Sequence, residues 1–257
     1  MEKKNKHYFY DLHTHTEKSA DAIGKIEEYI KTAQEIELTG FAVTDHNKVY
    51  DGKEEISGIT IIPGSEITLK DGSHLLAYYI KKALPKRKLT LEEAVKIIKK
   101  QGGYSFLAHP TSIIHGHFKQ GKGYFKIKNK KAKEIKVALD LVDGVEIGNA
   151  SETKELRTSA QEISEKLSTK RVWIAGSDAH APKFLGLGIV KTKERLTREN
   201  FLRVIKEGEM IVKTNFNLFK RVLYIIERLF LILSKVNLFW RPQPDSNRCY
   251  QDENLAS

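Results

Sequence analysis

The sequence predicts an α/β protein in which strands alternate with helices, built as a barrel or as a wide open sheet. Two observations predict it. Short apolar runs alternate with stretches of helical periodicity along 257 residues, 40% of them hydrophobic, which is enough for a sizeable core. Histidines and carboxylates gather where the apolar runs end, as they would on the C-terminal rim of a parallel sheet. No internal repeat divides the chain.

Phe9 to His15 reads as the opening strand, and Ile26, Ile30, Ala33 and Ile36 give a helix from Ile26 to Glu37 that Leu38-Thr39-Gly40 closes. Phe41 to Thr44, Gly58 to Thr68 and Leu75 to Ile80 are the next strands. Thr90 and Glu93 form a capping-box signature ahead of Leu91, Ala94, Val95 and Ile98, and Gly102-Gly103 ends that helix. The run SFLAHP follows as a strand. Val142 to Ile147, Val172 to Ala175 and Leu187 to Val190 are further strands, with a helical pattern from Ser151 to Leu167 and a last helix from about Thr197 to Glu207.

Composition removes several function classes. The single cysteine, Cys249, lies in a polar tail, so an internal disulfide framework and a cysteine-based zinc cluster are excluded. The opening MEKKNKHYFY lacks an apolar run of secretory length, and a cytoplasmic location is expected. The formal charge of +11 has two readings: a solvated surface rich in Lys and Glu, as in thermophile proteins, and after it a polyanionic partner.

The stretch DLHTHTEKSADA places His13 and His15 two residues apart, on one face of a strand, with Asp21 close behind. Imidazole is the commonest transition-metal ligand. The chain then supplies TDHN at Thr44 to Asn47, PGSEI around Glu66, SHLLAYYI with His74, LAHP with His109, VEIGN with Glu146, and GSDAH with Asp178 and His180. In this order the motifs resemble the PHP family (polymerase and histidinol phosphatase), over roughly residues 8 to 215.

That resemblance implies a metal-dependent phosphoesterase on a distorted (β/α)7 barrel of PHP type. It covers residues 1–215 as the phosphoesterase domain; outside it, polar spacing gives 216–241 as an amphipathic apolar helix, and polar, proline-marked composition gives 242–257 as a disordered tail. It also implies three divalent ions. His13, His15, Glu66 and Asp178 would hold one, with Glu66 bridging to a second held by His74 and His109, and Asp21, His46 and His180 would hold the third. Asp21 stands where some relatives have histidine.

The chemistry asks for these residue types on its own account. Neighbouring cations can share a hydroxide that serves as nucleophile near neutral pH, and they neutralise the phosphoryl oxygens that repel it. Mixed imidazole and carboxylate ligation suits Mn, Zn or Fe. Glu66 and Asp178 are the expected catalytic carboxylates. Asp45 has three readings: orienting a metal-bound histidine, giving a proton to the leaving group, or capping the turn after its strand.

Substrate contacts are expected from Glu146 and Asn149 of VEIGN, with a salt bridge as the plainer role for Glu146. They are also expected from Lys119 and Lys122, in a run from Lys119 to Lys136 that holds eight lysines and one glutamate and reads either as a rim loop or as a solvated one. Residues 217–240 carry polar side chains at a seven-residue interval and leave a wide apolar face, expected to pack on the barrel or on another subunit first and on a membrane surface second. The expected function is hydrolysis of small nucleotides or phosphorylated metabolites. Its rivals are a nuclease acting on DNA or RNA ends and a catalytically inactive metal- or phosphate-binding module.

Overall fold

Alternating β-prone runs and capped helices produce sixteen elements in a computed structural model. It describes residues 6–85, 88–112, 129–168, 170 and 172–214, together with Val222, Ile226, Leu229, Phe230 and Leu233. In chain order the elements are β1 (Tyr8–Thr14), α1 (Ile26–Glu35), β2 (Gly40–Val43), β3 (Glu55–Ile56), β4 (Ile59–Thr68), β5 (His74–Tyr78), α2 (Leu91–Lys100) and β6 (Tyr104–Leu107). Then follow α3 (Asn129–Leu141), β7 (Gly144–Asn149), α4 (Lys154–Leu167), β8 (Trp173–Gly176), a short 3-10 turn (Pro182–Phe184), β9 (Gly188–Thr192), α5 (Phe201–Lys206) and β10 (Glu209–Val212).

The helices form where sequence periodicity and caps agree. In α2 the Thr90 hydroxyl accepts from the Glu93 backbone N–H, and the Thr90 N–H donates to the Glu93 carboxylate. Leu91, Ala94, Val95 and Ile98 make one buried stripe. Leucine, valine and isoleucine side chains each contribute on the order of 1.5–3 kcal/mol when fully buried. Gly102, at φ +68°, takes the left-handed turn that ends the helix.

The sheet is mixed. Its order is β10-β9-β1-β2-β4-β5-β6-β7-β8, with β3 paired to β4. Pairs β1–β2, β2–β4, β6–β7 and β7–β8 are parallel, as alternation predicts, but β4–β5, β5–β6, β1–β9 and β9–β10 are antiparallel. A parallel bridge between Thr14 and Ala179, with the Asp178 N–H donating to the His13 carbonyl, draws the far edge back to β1. The result is a nearly closed barrel of β1, β2 and β4 through β8, with β9 and β10 as an outer ribbon.

One core cluster lies between β4–β8 and helices α2 to α4, and a second lies on β2, β4 and β9 beneath α1. A third, with Tyr10, Leu12, Tyr78, Phe106 and Phe201, packs inside the sheet and under α5. Apolar filling stops at the rim where β1, β2, β6, β7 and β8 end.

One expectation changes. The lysine-rich run was expected to be a loop to Lys136, yet from Asn129 it is helix α3, because Ile135, Ala138 and Leu139 repeat at helical spacing and are buried. Lys119 and Lys122 lie outside the described residues. So does most of 217–240. Within it Val222, Ile226, Leu229, Phe230 and Leu233 are helical and between 45% and 70% exposed. Among the described residues no helix is long and apolar enough to cross a membrane.

Candidate metal centre

β1 delivers the first ligands. His13 at its end and His15 just past it share the face that alternation gives to residues two apart and turn their rings to a common space, Nε2 to Nε2 at 3.1 Å. Beyond β2 come Asp45 and His46. Glu66 lies near the end of β4, and a bridge to His46 ties the two together. His74 comes from the start of β5, because β5 runs against its neighbours and so places its first residue at the rim where the others end. β6 leads to His109 and β8 to Asp178 and His180.

Glu66 is the hub. Its Oε1 accepts from His74 Nδ1 at 2.8 Å and His109 Nε2 at 2.9 Å. Its buried Oε2 makes no hydrogen bond, although His15 Nε2 and His46 Nδ1 stand 3.2 Å away and His13 Nε2 3.4 Å. Asp178 Oδ1 is 3.3 Å from His15 Nε2 and 3.6 Å from His13 Nε2, and Asp178 Oδ2 accepts from the Ser151 hydroxyl. Asp21 Oδ2 lies 3.2 Å from His180 Nε2 and 3.5 Å from His46 Nε2.

Four groups bring their ligand atoms within 4.8 Å of one another: His13, His15 and Asp178; His13, Glu66 and His109; His46, Glu66 and His74; and His15, His46 and His180. Convergent ring nitrogens around a buried carboxylate oxygen that makes no hydrogen bond form a donor set that fits divalent cations.

The electrostatics follow from this crowding. Burial disfavours the His13 cation, but the carboxylates of Glu146, Glu66 and Asp178 outweigh it and hold the pKa well above the usual imidazole value. His109, also buried, is pushed up to about 9, chiefly by its hydrogen bond to Glu66. In reverse, burial would raise the Glu66 and Asp178 carboxyls, but the surrounding histidines hold both well below the ordinary carboxylate range.

The backbone is strained where the ligands sit. Asn47, His109 and Asp178 have φ of +54°, +25° and +54°. Such conformations persist only where the surroundings impose them.

The structure thus brings together His13, His15, Asp21, His46, Glu66, His74, His109, Asp178 and His180, and it buries three other candidates. Asp45 is buried with both oxygens used: Oδ1 accepts from the Thr16 N–H and the Ser19 hydroxyl, Oδ2 from the Thr16 hydroxyl. Three hydrogen bonds thus tie it to the 16–19 turn. Glu146 and Asn149 are both buried. The Glu146 carboxylate meets His13 Nδ1, the His109 N–H and Asn149 Nδ2, and the Asn149 carbonyl accepts from Ser151.

Residues not anticipated include Ser151, Ser19, whose hydroxyl lies 3.3 Å from His15 Nδ1, and Asp11. The carboxylate of Asp11 accepts from the backbone of His13, Ser177 and Gly186. Asp11 and Ser19 both belong to DLHTHTEKSADA, so the motif marked the place without giving their roles.

A PHP domain model matches residues 11–151, and a PHP-associated model matches residues 159–210. An uncharacterized protein of Methanocaldococcus jannaschii is 30% identical over 119 residues, spanning 40% of this chain and 68% of that one. Among solved structures, PsfC from Pseudomonas syringae superimposes with a TM-score of 0.62 at 15% identity, over 89% of this chain and 99% of its own. A two-domain protein from Bacteroides vulgatus, containing a predicted PHP-like metal-dependent phosphoesterase, gives 0.55 at 20% identity over 80% and 65%. A lesion-specific endonuclease from Pyrococcus furiosus gives 0.54 at 15% identity over 80% and 57%. At these identities the three structures share the fold.

Proposed function

We propose that this chain, which belongs to the PHP domain family, hydrolyses phosphate esters of small nucleotides or other phosphorylated metabolites at a centre of three divalent metal ions. The observation that carries the reading is four adjoining ligand groups among the described residues, two of them sharing Glu66, with donor atoms within 4.8 Å in each group.

His13, His15, Glu66 and Asp178 would hold one ion, Glu66 with His74 and His109 a second, and Asp21 with His46 and His180 a third. The bound ions, Mn, Zn or Fe by donor type, would supply an activated water and neutralise phosphoryl oxygens. Glu66 stays ionised because the surrounding histidines hold its pKa low, so it keeps two anionic oxygens for bridging. The Ser151 hydroxyl fixes the Asp178 carboxylate while its other oxygen faces His13 and His15. Asp45 holds the 16–19 turn and, through Ser19, the ring of His15.

A second reading, cleavage of DNA or RNA ends, is favoured by the eight lysines from Lys119 to Lys136 and by the fold shared with the Pyrococcus endonuclease. The segment 217–240 is a further contact surface in our reading, for self-association or a membrane surface. Phosphate release from nucleoside monophosphates, sugar phosphates and 5′-phosphorylated oligonucleotides, by Mn-loaded and Zn-loaded protein, tests the proposal. Turnover confined to small esters supports it, preference for oligonucleotides selects the nuclease reading, and no turnover on any of them contradicts both.

A further inference from the structure

We propose that Glu146 is a positioning residue for two ligands at once, setting the ring tautomer of His13 and seating the strained backbone of His109. The inference rests on the metal-centre reading above.

The local backbone delivers Glu146 to this spot. Pairing between β7 and β8 slips between Glu146 and Gly148, an irregularity of the kind that re-aims side chains beside active sites. Glu146 is thereby turned under the rim, where its side chain and that of His13 are both fully buried. Gly176 on β8 keeps the space open. A Cβ there would lie 2.4 Å from His13 Cβ and 3.1 Å from Glu146 Oε1.

The hydrogen bonds leave little choice of roles. Glu146 Oε2 accepts from the His109 backbone N–H at 2.8 Å, a group that can only donate. It also meets Asn149 Nδ2 at 3.1 Å. The amide orientation of Asn149 is set from its other side, since its Oδ1 accepts from the backbone N–H of Ser151 at 2.9 Å. Oε1 lies 3.0 Å from His13 Nδ1. A carboxylate engaged this way accepts, so Nδ1 keeps its hydrogen and Nε2 is the nitrogen left to give up a proton to an incoming ion. Nε2 faces His15, Glu66 and Asp178. A metal-ligating histidine whose other nitrogen donates to a carboxylate is oriented and made more basic.

His109 is held by the same group. Its φ of +25° is one that a side-chain-bearing residue rarely adopts, and the bond from its N–H to Glu146 helps hold it there while its ring reaches Glu66 Oε1. One carboxylate therefore couples a ligand from β1 to a ligand from β6.

Glutamine has the same shape but only one acceptor oxygen. In Glu146→Gln that oxygen would stay with His109 and Asn149, both donors, and the amide would turn its hydrogens to His13 Nδ1. His13 would then present Nε2–H to the centre. The test is zinc affinity of wild type and Glu146→Gln by chelator competition, alongside ¹⁵N spectra of labelled histidines in the zinc-loaded wild type.

The expected results are a drop of roughly 10- to 100-fold in zinc affinity with an unchanged far-UV circular dichroism spectrum, and wild-type His13 ligated through Nε2 with Nδ1 protonated. A variant that binds zinc as tightly as wild type would overturn the proposal. So would a wild-type His13 ligated through Nδ1, a result that stands even where the variant does not fold. A wild type that takes up no zinc removes the metal centre itself, a different failure read before the variant is made.

Discussion

His13 Nε2 and His15 Nε2 stand 3.1 Å apart at the end of one strand, and Asp178 Oδ1 lies within 3.6 Å of both. Two nitrogens and a carboxylate oxygen at this spacing surround a point where a cation would meet all three. His15 also belongs to the group with His46 and His180. Its replacement should therefore disturb two sites, and His15→Ala is expected to lose about one ion or more per chain by elemental analysis, with the fold retained.

Glu66 should be the residue whose loss costs most. Glu66→Gln keeps the shape but removes the charge that several histidines surround, and metal-dependent phosphate release should fall by roughly a hundredfold or more. A variant with wild-type turnover would remove Glu66 from the centre.

Metal uptake should release protons. In the metal-free protein His13 is raised above its ordinary value and His109 is raised to about 9, so both hold protons at neutral pH that an ion must displace. Apparent affinity should therefore rise with pH towards about 9 and fall as pH drops. Calorimetric titration at pH 7.5 (chosen as roughly neutral) in buffers of different ionisation enthalpy should show that release.

Asp45→Ala separates positioning from acid catalysis. An aryl phosphate loses its leaving group without protonation, whereas an alkyl phosphate needs a proton. Because Asp45 spends both oxygens on Thr16 and Ser19, the variant should lose the same factor on both substrates. A loss confined to the alkyl ester would support the acid role.

Asp11 should matter for stability. It is fully buried and ties the backbone of His13 to that of Ser177 and Gly186, closing the seam between β1 and the segment after β8. Burial pushes its pKa up to about 6, and the N–H donors pull against that rise. Asp11→Ala orphans three buried N–H groups and should cost about 3 kcal/mol or more in denaturant unfolding of the metal-free protein.

The legible parts of this molecule were local ones. The capping box at Thr90 and Glu93 and the apolar stripe of α2 are short-range patterns, and both form as expected. The ligands stood out because histidines and carboxylates recur at the ends of apolar runs. What was not legible depended on long-range pairing. Nothing near His74 says that β5 runs backwards, the reversal that lifts this residue to the rim. Glu146 and His13 are 133 residues apart, so no spacing rule could pair them, and Glu146 was assigned to substrate. Asp45 was ambiguous for the same reason, since its partners Thr16 and Ser19 are on another strand's loop. Helix α3 was hidden by its lysines, which mask the buried Ile135, Ala138 and Leu139.

The central claim is a multinuclear metal centre organised on Glu66, and elemental analysis of purified protein after Mn or Zn loading tests it most directly. Wild type should retain about three ions per chain, and Glu66→Gln clearly fewer, with phosphate release following the metal. Wild type and variant with equally little bound metal under every loading condition would contradict it.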